Sequence, residues 1–305
     1  MEVPILCLSD FQQILDAMAP QLGRYDWMWP LLRWRARQTG WPPRVLYPLF
    51  RRFCNPQRPY FVGRTTDGTR ILGDYRDRYC VDQMVMPAAP DPVVELLIRR
   101  VQARPGIILD VGANMGMLTV ALARRMPDRQ ILAFEPVAET ARRAAATFAL
   151  NQLCHVGLMI AAVGAQDGEL TFYTAPGHSD YASAHPTETP LEIHWVESRV
   201  PCVTLDTLMR TGVFAQVGAI KIDVEGHEMD VLRGAQELIR QYQPDILFEY
   251  NYRIAPRIGW RPEDAGAFLV ELAPYTLHRI HADGSTESFR PPDHEVGIVN
   301  LLAHV

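Results

Sequence analysis

The chain has 305 residues with a formal net charge of -5, and its 48% apolar and 21% charged composition is that of a globular protein with one large domain or one domain plus an extension. The acidic balance weighs against a nucleic-acid partner, because non-specific nucleic-acid binders carry a basic excess. Five widely spaced cysteines (Cys7, Cys54, Cys80, Cys154 and Cys202) form no CxxC pair, no signal-peptide pattern opens the chain and no stretch of eighteen apolar residues exists, so a zinc cluster, a secreted scaffold and a membrane span are not expected and a cytoplasmic location is.

Residues 1–59 read as a helical extension. Trp27, Trp29, Trp34 and Trp41 alternate there with Arg24, Arg33, Arg35, Arg37 and Arg44, and Pro42-Pro43 breaks any helix. Two readings stand: tryptophans packed on the main domain with arginines in water, or a partner or membrane surface. In residues 60–90, Tyr60-Phe61-Val62 and Thr69-Arg70-Ile71-Leu72 flank Thr66-Asp67-Gly68, which predicts a lead-in hairpin.

From residue 91 onward helical and strand patterns alternate. Helices are expected over 92–103, 117–125, 139–150, 228–242 and 263–272, and strands over 107–109, 130–134, 157–163, 169–173, 219–224 and 245–249. Two further strands, 276–281 and 297–303, close the chain. Repeated βα units with short apolar strands predict a doubly wound, mostly parallel α/β sheet. A terminal antiparallel pair suits a methyltransferase better than a dehydrogenase, by analogy of fold.

The turn Asp110-Val111-Gly112-Ala113-Asn114-Met115-Gly116 follows the first core strand and precedes a helix. Open α/β sheets bind ligands at this place. A dinucleotide site calls for G-x-G-x-x-G, to set a pyrophosphate on a helix N-terminus. The spacing here is G-x-x-x-G with an acid two residues before it. That pattern suits S-adenosyl-L-methionine (SAM), which has no phosphate but an ammonium that Asp110 can meet directly or through water. Gly112 and Gly116 are read as letting the backbone approach the ligand. Glu135 in Ala133-Phe134-Glu135-Pro136 ends the next strand, where a carboxylate can accept hydrogen bonds from both ribose hydroxyls.

The third motif is Lys221-Ile222-Asp223-Val224-Glu225-Gly226-His227-Glu228. Alternation puts Lys221, Asp223 and Glu225 on one side of the strand. Glu249 and Asn251 emerge from the next strand. One carboxylate can take a proton from a substrate hydroxyl, two or three can hold Mg²⁺, or the group can be a structural network that orders the loop. Other histidines are scattered, without HExxH or zinc spacing.

Together these segments resemble the FkbM-type SAM-dependent methyltransferase family. The matching elements are Asp110-Val111-Gly112-Ala113-Asn114, Phe134-Glu135-Pro136, Asn151, Ala161-Ala162-Val163-Gly164 before Asp167-Gly168, Thr204-Leu205-Asp206, and Lys221 to Glu228 with Val231-Leu232-Arg233-Gly234-Ala235, in order across residues 60–303. The resemblance implies a class I methyltransferase (Rossmann-like) sheet of seven strands with the last antiparallel. It implies O-methylation of a sugar, glycolipid or polyketide-type natural product, hence a small-molecule or glycan acceptor. Asp110, Gly112, Ala113, Asn114 and Gly116 then correspond to the methionine end of SAM, Glu135 and Pro136 to the ribose, and Ala162 and Val163 to the adenine. Asp223, Glu225, His227 and Glu249 correspond to the reacting site, with Asp223 the first choice of base and Asp223, Glu225 and Glu249 the candidate Mg²⁺ ligands. His227 stands where the family often has a small residue. The first ninety residues are the expected source of a substrate lid or a homodimer contact. Two alternatives remain open: an N-methyltransferase on the same fold, or a non-catalytic partner protein that keeps it.

Overall fold

The structure is a computed structural model that describes residues 3–25, 28–39, 52–65, 68–85, 92–102, 104–184, 194–291 and 297–305. Trp27, Trp41, Arg44, Pro42-Pro43, Thr66-Asp67, Ala103, His185 and His294 lie outside the described residues, as do the side chains of Arg35 and Arg37.

Among the described residues nine strands form the central sheet. In chain order they are β1 (Ile5–Leu6), β4 (Ile107–Val111), β5 (Ile131–Phe134), β6 (Val156–Met159), β11 (Val217–Ile222), β12 (Asp245–Asn251), β13 (Thr276–Ile280), β14 (Thr286–Ser288) and β15 (Ile298–His304). Their spatial order is β1-β6-β5-β4-β11-β12-β15-β13-β14. The inner strands β6, β5, β4, β11 and β12 are parallel, and β15 enters antiparallel between β12 and β13. The doubly wound expectation with an antiparallel C-terminal strand holds, and the short strands β1 and β14 add two antiparallel edges to the seven strands expected. The parallel strands read as continuous apolar runs because both faces are covered. One face carries Leu109, Phe134, Ile220 and Phe248, and the other carries Ile108, Ala133, Ala219 and Leu247.

Two smaller sheets flank the centre. The hairpin β2 (Tyr60–Arg64) and β3 (Arg70–Asp74) forms as expected. The second comprises β7 (Ala162–Val163), β8 (Gly168–Ala175), β9 (His178–Ser183) and β10 (Val196–Val203), in the order β7-β10-β8-β9. Sequence periodicity missed β9 and β10, and it merged β6 and β7 into one strand over 157–163. The chain leaves the central sheet at Ile160-Ala161, so β7 belongs to a different sheet.

Among the helices, α1 (Leu8–Met18) packs on α6 (Ala138–Leu150), and Phe11 meets Phe148 edge to face. Next come α2 (Trp29–Thr39), α3 (Arg78–Val85), α4 (Pro92–Val101) and α5 (Met117–Arg125), then α7 (Leu205–Arg210), α8 (Glu228–Arg233), α9 (Gln236–Tyr242), α10 (Ala255–Ile258) and α11 (Pro262–Leu272). The single helix expected over 228–242 is broken at Gly234-Ala235. A Cβ at Gly234 would lie 2.0 Å from the carbonyl oxygen of Gly164, so the backbones touch there and glycine is required.

Several family-matching residues prove to be fasteners. Asn151 gives its amide to the carbonyls of Arg70 and Thr147 and accepts the Arg70 N–H, which ties the hairpin to α6. Asp206 accepts the N–H groups of Glu237 and Leu238 at the start of α9. Asp167 accepts from the Thr204 N–H and the Thr207 hydroxyl.

Candidate active site

The carboxyl ends of β4, β5, β11 and β12 open into a cavity of about 470 Å³. The first turn enters it through Ala113, Asn114 and Met115, and β5 contributes Glu135 and Pro136. Ala161, Ala162 and Val163 form one apolar wall with Leu170 and Phe172 of β8. Lys221, Asp223, Glu225, His227 and Glu249 line the far part together with Asn300 of β15.

Gly112 lines the cavity, and both glycines of the turn also meet other parts of the protein closely. Gly112 has φ 81°, and a Cβ there would lie 1.8 Å from the carbonyl oxygen of Asp223. At Gly116 (φ 79°) a Cβ would meet the Phe148 ring at 2.5 Å. Gly112 thus seats the first turn against the Asp223 loop, and Gly116 seats it on α6. The turn between them faces the cavity.

Asp110 and Gly116 are not among the residues that line the cavity; they stand directly beside it in the turn. Asp110 has no exposed surface. It accepts the Thr119 hydroxyl at 2.5 Å and lies 3.7 Å from Lys221 Nζ. Burial pushes its carboxyl above the ordinary value, against the pull of Lys221. It gives the Lys221 ammonium a buried counter-charge beneath the floor.

Asn114 and Glu135 form the nearer end. Asn114 has φ 50°, uncommon without a glycine, and its N–H donates to Glu135 Oε2 at 2.9 Å. Glu135 Oε1 accepts the Val137 N–H at 2.9 Å, and each oxygen retains accepting capacity for a hydroxyl. Burial pushes the Glu135 carboxyl up to about 7. The Asn114 side chain donates to the Ser179 carbonyl, while its Oδ1 and the Ser179 Oγ are buried without hydrogen-bond partners among the described residues. Buried orphan polar atoms on a cavity wall call for a ligand that supplies the missing partners. An ammonium, amine or hydroxyl donor fits Asn114 Oδ1, so the residues present suit SAM.

The far end is a charged cluster. Lys221 Nζ lies 3.1 Å from Asp223 Oδ2. Burial works to lower the Lys221 pKa, but Asp223 and Asp110 outweigh it and hold the ammonium above the ordinary lysine value. Glu249 is raised to about 7 by burial first and by repulsion from Asp223 second, with Lys221 opposing. Glu225 has φ 53°, and its carbonyl accepts the Ser183 hydroxyl of β9. His227 Nδ1 pairs with Asp230 Oδ2 at 2.9 Å. Glu228 is buried behind this loop, where Oε1 accepts the N–H groups of Val224 and Gly226, and burial raises it to about 8. Asn251 does not reach the cavity, because its Oδ1 accepts the Arg253 N–H.

The expected Mg²⁺ site is not supported. No group of three or more His, Cys, Asp or Glu among the described residues stands placed to hold a metal. The cation among these carboxylates is the Lys221 ammonium.

Sequence reasoning missed one side of the wall. Tyr79 and Gln83 of α3, Val93 of α4, and Ser179 and Ala182 of β9 close the cavity over the core. Nothing in their spacing marked them; only the docking of the hairpin on α6 brings α3 there.

A sheet of this order, with a glycine turn after β4 and acidic residues at the ends of β5, β11 and β12 around one cavity, defines a methyltransferase of the class I fold. Residues 110–279 match the methyltransferase FkbM domain, and the chain belongs to that family. It is 34% identical over 146 residues to Methyltransferase 1 of Beauveria bassiana (strain ARSEF 2860), a match covering 43% of this chain and 58% of that relative's length. Among solved structures it is similar to methyltransferase FkbM from Methylobacillus flagellatus KT, with 12% identity and a TM-score of 0.46 over 96% of this chain and 58% of that one. It is also similar to a putative methyltransferase from Streptococcus mutans in complex with SAH, with 9% identity and a TM-score of 0.41 over 71% and 99% of the two chains. No helix among the described residues is long and apolar enough to cross a membrane.

Proposed function

We propose that the chain transfers the methyl group of SAM to a hydroxyl of a small-molecule or glycan acceptor. The observation that carries this reading is that the Lys221, Asp223 and Glu249 cluster lines the same cavity as Asn114 and Glu135. SAM supplies a methyl on a sulfonium that already holds its leaving group, so the protein's task is to position the reactants and dispose of one proton. Asn114 and Glu135 bind the cofactor's polar groups, and Ala162 and Val163 give its base an apolar surface.

Proton removal favours Glu249 over Asp223 as the base. Asp223 spends one carboxylate oxygen on Lys221. Glu249, near 7, matches the range in which a base serves best at neutral pH. Asp223 and Lys221 then orient the acceptor hydroxyl, and Glu225 and His227 shape its entrance.

A panel of hydroxyl and amine acceptors, incubated with methyl-labelled SAM, tests the reaction class. Label on oxygen supports the reading, and label on nitrogen alone replaces it with N-methylation. Absence of SAM binding by calorimetry would remove the enzyme reading altogether. With an acceptor in hand, Glu249→Gln is expected to lower kcat more than Asp223→Asn; an unchanged kcat in Glu249→Gln would remove Glu249 from the role.

A further inference from the structure

We propose that Trp260 is a positioning residue for methyl transfer, its indole fixing the turn that carries Asp223 and Glu225 against the strand that carries Glu249. The proposal rests on the reading above that these carboxylates serve the acceptor. The last ladder pair between β11 and β12 is Ile222 with Phe248, so beyond it the turn needs other ties.

Local structure brings Trp260 to this place. The helix α10 ends at Gly259, whose φ of 96° turns the chain back, so that the N–H groups of Gly259 and Trp260 both close on the Ala255 carbonyl. The indole is buried, with 5% of its surface exposed. The helix itself rests on the turn. Gly226 has φ 102°, and a Cβ there would lie 2.7 Å from Ile254 Cγ2 and 2.8 Å from Ile258 Cδ1.

Trp260 then touches both the strand and the turn. Its ring meets Tyr250, the neighbour of Glu249 on β12, edge to face with 4.9 Å between centroids. Its Nε1 donates to the Gly226 carbonyl at 2.6 Å. A buried tryptophan N–H needs some acceptor. This one takes the residue next to Glu225, whose φ of 53° persists only where its surroundings over-determine it. Glu228 Oε1 holds the N–H groups of Val224 and Gly226, and Trp260 adds a tie that also reaches the Glu249 strand. Asp223, Glu225 and Glu249 line one cavity, and a shift of about 1 Å between groups that position a reactant is costly in rate.

Trp260→Phe keeps a ring against Tyr250 and removes the N–H. By hydrogen exchange on the full chain, the Val224 and Gly226 amides are expected to exchange about tenfold faster in the variant, with Ile220 and Leu247 in the sheet unchanged. In ¹³C-glutamate spectra, the Glu249 titration is expected to move from about 7 toward the ordinary value of 4.5, because Asp223 is freed to move away and water to enter. A merely structural tryptophan would lower the melting temperature and leave that titration in place. In the acceptor panel with methyl-labelled SAM, initial rates at saturating SAM should fall about tenfold with SAM affinity unchanged. Unchanged exchange, an unmoved titration or an undiminished rate in the folded variant overturns the proposal. Should the variant misfold, the parent chain decides: the Trp260 indole N–H and the Gly226 amide should be protected together, and an indole N–H that exchanges freely while Gly226 stays protected overturns the tie. Exchange and titration need no acceptor, so label on nitrogen alone corrects the reaction class while these two readouts still decide the role of Trp260.

Discussion

Lys221 faces Asp110 across two hydrogen-bonded parallel strands, in direct register, with its ammonium 3.7 Å from a carboxylate that has no exposed surface. The same ammonium reaches up to Asp223. One buried cation therefore pairs with both Asp110 below and Asp223 above.

Replacing Lys221 by Met is expected to leave Asp110 buried without its counter-charge, at a cost of about 3–5 kcal/mol in urea denaturation. Adding Asp110→Asn should restore part of that loss. Equal stability of the single and double variants would mean that the two charges are not coupled.

Gly112→Ala should strike the Asp223 carbonyl, because the added Cβ would lie 1.8 Å from that oxygen and the backbone sits at φ 81°. We expect a loss of more than about 2 kcal/mol. In whatever fraction folds, methyl transfer should suffer more than SAM affinity, since the proposed reading gives the displaced Asp223 loop to the acceptor. A folded variant with an unchanged rate would refute this account of Gly112.

Glu135, Glu249 and Glu228 all release their protons later in the folded chain than their ordinary value of 4.5, at about 7, 7 and 8. Between pH 4.5 and 8 the folded state thus holds protons that the unfolded chain has lost. Stability of the ligand-free protein should fall as pH rises through this window, by about 1–3 kcal/mol. Denaturation at pH 5.5 and pH 8 checks the sign; a rise would contradict it. Over the same range kcat should climb with an inflection near pH 7 as Glu249 ionises, and SAM binding should tighten as Glu135 does.

Glu228 offers a cleaner separation. Its raised value leaves it protonated at neutral pH, and Gln is a close copy of that form. Glu228→Gln should cost less than about 1 kcal/mol, whereas Glu228→Leu leaves the Val224 and Gly226 N–H groups without their acceptor and should cost about 2–4 kcal/mol. Chemical denaturation of the two variants side by side decides it.

The strands that frame the cavity were legible because a parallel strand covered on both faces must be apolar throughout, as in Ile107-Ile108-Leu109. The motif positions were legible because they sit at strand ends, where Asn114, Glu135 and Asp223 all lie. What each one touches was not. Gly112 and Gly116 announce a backbone that needs positive φ, but the Asp223 carbonyl and the Phe148 ring that demand it are far away in sequence. The pairing of Asp110 with Lys221 is invisible in the sequence because the two are more than a hundred residues apart. The strand Ile5–Leu6 is too short to show any period, and β9 is recognisable only once β8 is beside it.

That two-residue strand also shields one margin of the central sheet. Ile5–Leu6 covers the outer edge of β6, an apolar strand of four residues whose free N–H and C=O groups would otherwise lie open. The opposite edge is β14, three exposed polar residues. Both margins of a large sheet are thereby blunted against edge-to-edge stacking. A chain trimmed to begin at Leu8 would bare the β6 edge, and aggregation, rather than lost catalysis, should be its first defect.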